Sequence, residues 1–155
     1  MQIKDFAICN PKNLSLNDFE YINYIDTSSV TDGRLENTQC LAFDYPSRAK
    51  RTVKKEDILI SSVRPILRHN YYVKSDISNA VGSTGFIQVR ITDKKIALPR
   101  FLYYYLTTDR NIEFFNSIAE SSQSTFPSFN KDVIEELEFL NISIVDQQHI
   151  VNTRC

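Results

Sequence analysis

The apolar positions of this chain follow one period for about ninety residues and another afterwards. In the first part they fall in short runs separated by turn residues. Phe6-Ala7-Ile8 leads into the turn signal Asn10-Pro11, and the aromatic and β-branched stretch 19–25 is followed by the turn dipeptide Asp32-Gly33. Cys40-Leu41-Ala42-Phe43, the run 57–63 and Tyr71-Tyr72-Val73 continue the series. The run Ile58-Leu59-Ile60 is apolar without interruption, which predicts a strand buried on both faces. Residues 86–91 alternate, with Phe86, Gln88 and Arg90 on one face and Ile87, Val89 and Ile91 on the other.

After Pro99 the period becomes helical. Residues 101–106 are apolar nearly all round, and Pro99 suits the first turn of a helix there. A second helix is predicted from Thr108 or Asp109 to Glu120, with Ile112, Phe115 and Ala119 on one stripe and Phe114 and Ile118 beside it. A polar loop covers 121–128, a short helix 131–136, and an alternating, strand-like stretch 137–142. Asp146 reads as the N-cap of a last helix beginning at Gln147. The fold expected is α+β: one domain of mixed β-strands with a helical C-terminal third.

Composition narrows the class. A chain of 155 residues and 18.0 kDa is one domain by size. At that length roughly 70% of the unfolded surface can be buried, so a core needs no staples. The shares of hydrophobic (42%) and charged (24%) residues are those of a globular protein, not a disordered one. No run approaches the roughly 18 apolar residues of a membrane span. The opening Met1-Gln2-Ile3-Lys4-Asp5 has no apolar signal core, so a cytoplasmic location is expected. Cys9, Cys40 and Cys155 are odd in number and far apart, and His69 and His149 are the only histidines, so neither a disulfide framework nor a metal site is expected. Among only three glycines, Gly82-Ser83-Thr84-Gly85 comes nearest to a phosphate loop and lacks both its spacing and its lysine.

Net charge conceals more than it tells. The total is −1, but residues 1–45 carry −4, 46–70 carry +5, 71–110 carry +3 and 111–155 carry −5. A positive middle between acidic ends suits a polyanion-binding face on a nearly neutral protein, and it also suits a solvated surface of mixed sign. Arg48, Lys50, Arg51, Lys54 and Lys55 place five cations in eight residues, able to neutralise phosphates or to form a basic solvated loop. Just past the apolar run 57–63 come Arg64-Pro65, then Arg68, His69 and Asn70. Such side chains on a strand end can read base edges, or can pair with carboxylates such as Asp57 or Asp76. Most of the 18 aromatic residues sit at core spacing; Tyr71 and Tyr72, beside the basic segment, are the exceptions suited to base stacking.

No catalytic constellation stands out. There is no GxSxG elbow, and Asn10-Pro11-Lys12-Asn13 lacks the second proline and the aromatic residue of an amino-methyltransferase motif. His69 with nearby acids leaves open a small hydrolase or nuclease, and the chain could equally be an interaction module regulating a larger complex.

The order of motifs nevertheless resembles a known family. Tyr24-Ile25-Asp26-Thr27-Ser28-Ser29-Val30, Asp32-Gly33, Pro46-Ser47-Arg48-Ala49-Lys50-Arg51 and Asp57-Ile58-Leu59-Ile60-Ser61-Ser62-Val63-Arg64-Pro65 are similar to the target recognition domain of type I restriction-modification specificity subunits. Ser83-Thr84-Gly85-Phe86, Phe101-Leu102-Tyr103-Tyr104-Tyr105-Leu106-Thr107, Ser124-Thr125-Phe126-Pro127-Ser128 and Asp146-Gln147-Gln148-His149-Ile150-Val151 follow in the family's order. The sequence departs at Glu56, where the family commonly has glycine, and in lacking a proline-rich approach to the last helix.

The resemblance implies a noncatalytic reader of one half of a bipartite duplex DNA target, spanning residues 1–144, with 145–155 beginning a spacer helix. It adds Ser83, Thr84, Gln123 and Thr125 to the DNA-contacting residues Arg48, Lys50, Arg51, Lys54, Lys55, Arg64, Arg68, His69, Asn70 and Tyr71. It assigns Gln147, Gln148, Ile150 and Val151 to partner contacts. The implied partners are adenine methyltransferase subunits using S-adenosylmethionine, a motor-nuclease subunit using ATP and Mg, and a second recognition domain or second copy of the chain. The chain itself is expected to hold no cofactor.

Overall fold

The computed structural model describes residues 1–123 and 125–154; Ser124 and Cys155, both named above, lie outside the described residues. Two four-stranded sheets and a layer of helices form an α+β fold. The first sheet has the order β1 (Ala7–Cys9), β10 (Phe86–Ile91), β7 (Ile58–Ser61), β8 (Tyr71–Tyr72), all antiparallel. The second has the order β5 (Gln39–Leu41), β2 (Ile22–Ile25), β9 (Ala80–Ser83), β6 (Ala49–Thr52), and its β2–β9 pair is parallel. A small hairpin, β3 (Val30–Thr31) and β4 (Arg34–Leu35), turns at Asp32-Gly33 as the sequence predicts. Helices α1 (Pro99–Leu106), α2 (Asp109–Ser121), α3 (Lys131–Glu135) and α4 (Ile144–Thr153) follow.

The layers follow from the alternation of side chains along β7 and β10. Ile58, Ile60, Ile87 and Val89 face the helices and pack with Phe101, Leu102, Leu106, Ile112, Phe115, Ile134 and Phe139. Leu59 and Phe86 face the other way, into a second core with Ile25, Val30, Tyr71, Val73 and Ala80. The outer face of the second sheet carries a third cluster, Ile22, Tyr24, Ala49 and Val81. β7 is therefore buried on both faces, as its unbroken apolar centre predicts.

On the same inward face as Leu59 and Phe86, Gln88 and Arg90 build a polar network around Asp57. This carboxylate, 1% exposed, accepts from both Nε and Nη2 of Arg90, from Gln88 Nε2 and from the Lys54 backbone N–H, each at 2.8 Å. Four donors, two of them from the arginine fork, offset the desolvation of a buried charge.

The structure departs from the sequence-based expectation in several places. The basic segment is not a loop: residues 49–52 form β6, an edge strand with a bulge between Ala49 and Arg51. β9 is a strand that Gly82 disguises as a turn. Residues 137–142 form no sheet strand; Glu138 makes one bridge to Gln2, while Ile3 N–H donates to the Leu137 carbonyl and Phe139 N–H to that of Met1. Their alternation instead serves to drop Phe139 into the helical core against Phe6 and Phe101. The last helix begins earlier than Gln147: Ser143 is its N-cap, its Oγ accepting from the Asp146 N–H at 3.2 Å, so Asp146 sits within the first turn where the helix dipole favours it.

Gln147 and Glu56 make the internal polar contacts and the backbone strain testable. Gln147 is fully buried, accepts from Leu98 N–H at 2.8 Å and donates Nε2 to the carbonyls of Ile96 and Ile142. Gln147→Leu leaves those three backbone groups unpaired and should cost about 2–4 kcal/mol in urea unfolding; a loss well under 1 kcal/mol would mean that water takes the side chain's place. Glu56, at the position where the resembling family carries glycine, has φ +75°. Glu56→Gly relieves left-handed strain at the expense of chain entropy and the exposed Lys94 pair, so stability should be unchanged or rise by up to about 1 kcal/mol; a clear loss would show that the ion pair, not the turn, governs this site.

Candidate nucleic-acid interface

Three segments remote in sequence meet at one end of the two sheets. The turn Ser83-Thr84-Gly85 joins β9 to β10 there, and β7 ends beside it. The Gly85 carbonyl accepts from both the N–H and the Oγ of Ser62 at 2.9 Å, and Gly85 N–H donates to Ser83 Oγ at 3.0 Å. Thr84 N–H donates to the Arg48 carbonyl at 2.8 Å, which ties the start of β6 to the same turn. The Arg48 guanidinium lies against Gly85: a Cβ there would stand 2.6 Å from Nη2 and 3.0 Å from Thr27 Cγ2. Glycine is what lets the arginine approach.

The loop after α2 is stitched to the exit of β7. Ser128 bridges Val63, Arg64 N–H donates to the Pro127 carbonyl at 2.9 Å, and Phe129 N–H donates to the Ser62 carbonyl at 3.1 Å. Phe129 then stacks on Phe115 in the helical core with centroids 4.8 Å apart. Arg64 and Arg68 both adopt left-handed backbone, φ +46° and +54°, around a 3-10 turn over Pro65–Leu67. Two strained arginines in five residues persist only where their surroundings hold them, and such strain concentrates at functional segments.

The candidate residues divide sharply. Arg48, Lys50, Arg64, Gln123 and Thr125 are exposed, and Thr84 is half-buried, all at this end or on the loop attached to it. Arg51 is half-buried; its Nε donates to the Phe86 carbonyl at 3.1 Å, and burial draws its pKa down. With Asn10, Ser62, Thr84, Phe129 and Lys131 it lines a cleft of about 520 Å³. Lys54 and Lys55 are exposed too, but at the opposite end, beside Arg90 and Lys94. The extended backbone through β6 separates them from Arg48 by roughly 15–20 Å, so the five cations are not one patch.

The rest are occupied within the chain. Arg68 pairs with Asp109 and donates to the Thr107 carbonyl, so its carboxylate partner is neither Asp57 nor Asp76. His69 Nδ1 bonds the Val30 carbonyl at 2.7 Å. Asn70 is buried and accepts from Ser61 N–H; Tyr71 is buried between the sheets, and Ser83 is buried in the turn. Tyr72 lies beneath the Arg100 guanidinium, 4.7 Å from its ring centre. On α4, Gln147 and Val151 face the chain's own core, Ile150 packs at its margin, and Gln148 is exposed.

Sequence reasoning misses Ser62, Asn10 and Lys131 as neighbours of this surface. Gly85 is the usable signal, since one of three glycines beside a hydroxyl-rich turn marks a close approach. Among the described residues no His, Cys, Asp or Glu cluster could hold a metal, and no helix is long and apolar enough to cross a membrane.

The sequence and the fold are similar to those of known proteins. Residues 1–153 match the family described as type I restriction modification DNA specificity domain. The chain is 33% identical over 132 residues to the type I restriction enzyme HindI specificity subunit of Haemophilus influenzae, a match covering 84% of this chain and 28% of that protein. The fold is shared with the HsdS subunit of Thermoanaerobacter tengcongensis (TM-score 0.81, 20% identity, 99% of this chain and 40% of that one). It is shared as well with a chain from a structure reported for complex assembly and conformational transition of the type I R-M system (TM-score 0.77, 20% identity, 99% and 40%). The chain thus spans about a quarter of the curated relative and two-fifths of the solved chains. By the match over 153 of its residues, the chain belongs to the type I restriction modification DNA specificity domain family.

Proposed function

We propose that this domain binds double-stranded DNA sequence-specifically and reads one half of a bipartite target as part of a type I specificity subunit. The observation that carries the reading is the convergence of Arg48, the turn at Thr84, the β7 exit at Arg64 and the segment Pro127-Ser128-Phe129 on one end of the fold. Cations there meet phosphates, and side chains on a stitched strand end reach base edges. Arg48, Lys50, Arg51, Arg64, Thr84, Gln123 and Thr125 form the contact set on that end. Arg68, His69, Asn70, Tyr71 and Ser83 support it from within.

The chemistry belongs to other subunits in this reading. Methyltransferase subunits with S-adenosylmethionine modify adenine, and a motor-nuclease subunit with ATP and Mg cuts unmodified DNA. A second recognition domain, or a second copy of the chain, reads the other half-site. The exposed side of α4, with Gln148, faces the partners, while Gln147 and Val151 position that helix. For the hydrolase alternative His69 would act through Nε2, since its Nδ1 donates to the Val30 carbonyl, and among the described residues no hydrogen bond joins it to a carboxylate or a nucleophile.

Salt titration of duplex binding tests which end of the fold meets DNA. Replacing Arg48 and Lys50 by alanine should flatten the slope of log K against log salt by about 0.9 for each phosphate no longer neutralised, close to 2 for the pair. The Lys54 and Lys55 double alanine variant should change it by less than about 0.5. Arg64→Ala should cost about 1–3 kcal/mol on the true half-site and far less on random duplex. If the Lys54/Lys55 variant loses the slope instead, the interface lies at the other end; if no variant binds salt-dependently, nor the parent, the DNA reading fails for this chain.

A further inference from the structure

The cleft beside Arg51 leaves a half-buried guanidinium without a counter-charge. The Arg51 Nε is taken by the Phe86 carbonyl, which leaves both Nη groups to the cleft. Among the described residues no carboxylate stands within ion-pair distance of it, and burial draws its pKa down with no acid opposing the shift. Withdrawing a cation from water is unfavourable unless an anion or several acceptors offset it. Lys131, at the start of α3, lines the same cleft, and its ion pair is a long one, 3.8 Å to Glu135. A pair of that kind holds an exposed ammonium weakly. The neutral groups on offer are donors as well. Asn10 Oδ1 already accepts from Gln88 N–H at 3.0 Å, so its side chain has only the Nδ2 amide to give, and Thr84 adds a half-buried hydroxyl. Among the described residues lining the cleft, Asp132 alone is acidic, and it is exposed.

A ligand that completes this cleft is an anion with several acceptor oxygens, and it protrudes far enough to enter. The sugar-phosphate ridge of a duplex meets both requirements. Base edges meet neither: they are neutral, and they lie on the floor of a groove that a recessed side chain does not reach. At about 520 Å³, many times the roughly 30 Å³ of a water molecule, the cleft has room for a phosphate and its flanking sugars. We propose that it binds one backbone phosphodiester of a DNA strand, with the Arg51 Nη groups and Lys131 as charged partners and Asn10 Nδ2 and Thr84 Oγ1 as neutral donors. The inference rests on the duplex-reading function above and deepens it: Lys131 joins the contact set, and Arg51 grips the strand and does not read a base. Both walls of the cleft are fixed. Thr84 N–H is bonded to the Arg48 carbonyl, and Lys131 follows Phe129, whose N–H is bonded to Ser62 and whose ring stacks on Phe115. A phosphate held between them sets where the Arg64 exit stands along the strand.

The test scans a half-site duplex, selected by the full chain from a random library, with single methylphosphonate linkages that each remove one phosphate charge. The variants Lys131→Gln and Asp132→Asn lie at exposed positions, so folding does not decide the result; urea unfolding checks that it is unchanged. At one linkage the parent should lose about tenfold in affinity, the scale of a charge-assisted contact. Lys131→Gln should lose less than about threefold there, keep the parent's losses at the other linkages, and show a salt slope flatter by about 0.9. Asp132→Asn removes the acid beside the anion and should tighten binding to every duplex about twofold. Arg51→Lys keeps the charge without the fork and should blunt the loss at that same linkage. Identical scans for the parent and Lys131→Gln overturn the assignment, as does weaker binding by Asp132→Asn. So does a guanine whose replacement by 7-deazaguanine weakens the parent but not Arg51→Lys, since that marks Arg51 as a base reader. A parent with no salt-dependent duplex binding sinks the duplex reading and this site together; a parent that binds normally and ignores Lys131→Gln sinks this site alone.

Discussion

A short strand with both faces in the dry interior has no freedom of register, and β7 is such a strand. Slipping it by one residue would exchange Leu59 with Ile58 and Ile60 and empty two cores at once. Every feature of the proposed surface inherits its position from that constraint. At one end of β7 the chain leaves through Ser62 and Arg64, already bonded to Gly85 and Pro127. At the other end Asp57 gathers Arg90, Gln88 and the Lys54 backbone. A strand of four residues thus sets both the exit at Arg64 and the polar knot that holds the sheets together.

The polar knot explains how a basic segment can be split without weakening the fold. Buried carboxylates are tolerated when their acceptor capacity is filled, and Asp57 has four donors. Its bond to the Lys54 N–H pins the turn between β6 and β7, while the left-handed Glu56 completes that turn. The bulge at the start of β6 then sets Arg51 against the Phe86 carbonyl and leaves Lys50 exposed. Backbone irregularity, more than side-chain charge, decides which of the five cations meet a common surface.

Strands and helices with strong periodicity are legible in the sequence. The pattern over 86–91 matches β10 residue for residue, and Thr108 with the Ile112–Phe115–Ala119 stripe marks α2. β6 stays hidden because charged residues on an edge strand look like a loop, and β9 because Gly82 and Ser83 look like a turn. The candidate residues are legible as a set but not in their fates. Asn70 and Gln147 are polar, yet each is the internal partner of otherwise unpaired backbone groups. Nothing in a sequence distinguishes an amide that satisfies its own backbone from one that reaches outward, since the difference lies in tertiary neighbours.

Charge sorting along the chain acquires meaning once the layers are known. Much of the acidic C-terminal segment, −5 over 111–155, belongs to the helical layer against the first sheet, while Phe129 and Lys131 reach the cleft beside Arg51 and Thr84. The positive segments supply both ends of the sheets. A domain built so has a small net charge but an uneven distribution of it, with cations at both ends of the sheets. A small net charge keeps nonspecific attraction to a polyanion weak, which under the proposed function leaves discrimination to base contacts and not to phosphates. The near-neutral total and the proposed basic surface are thus two aspects of one arrangement.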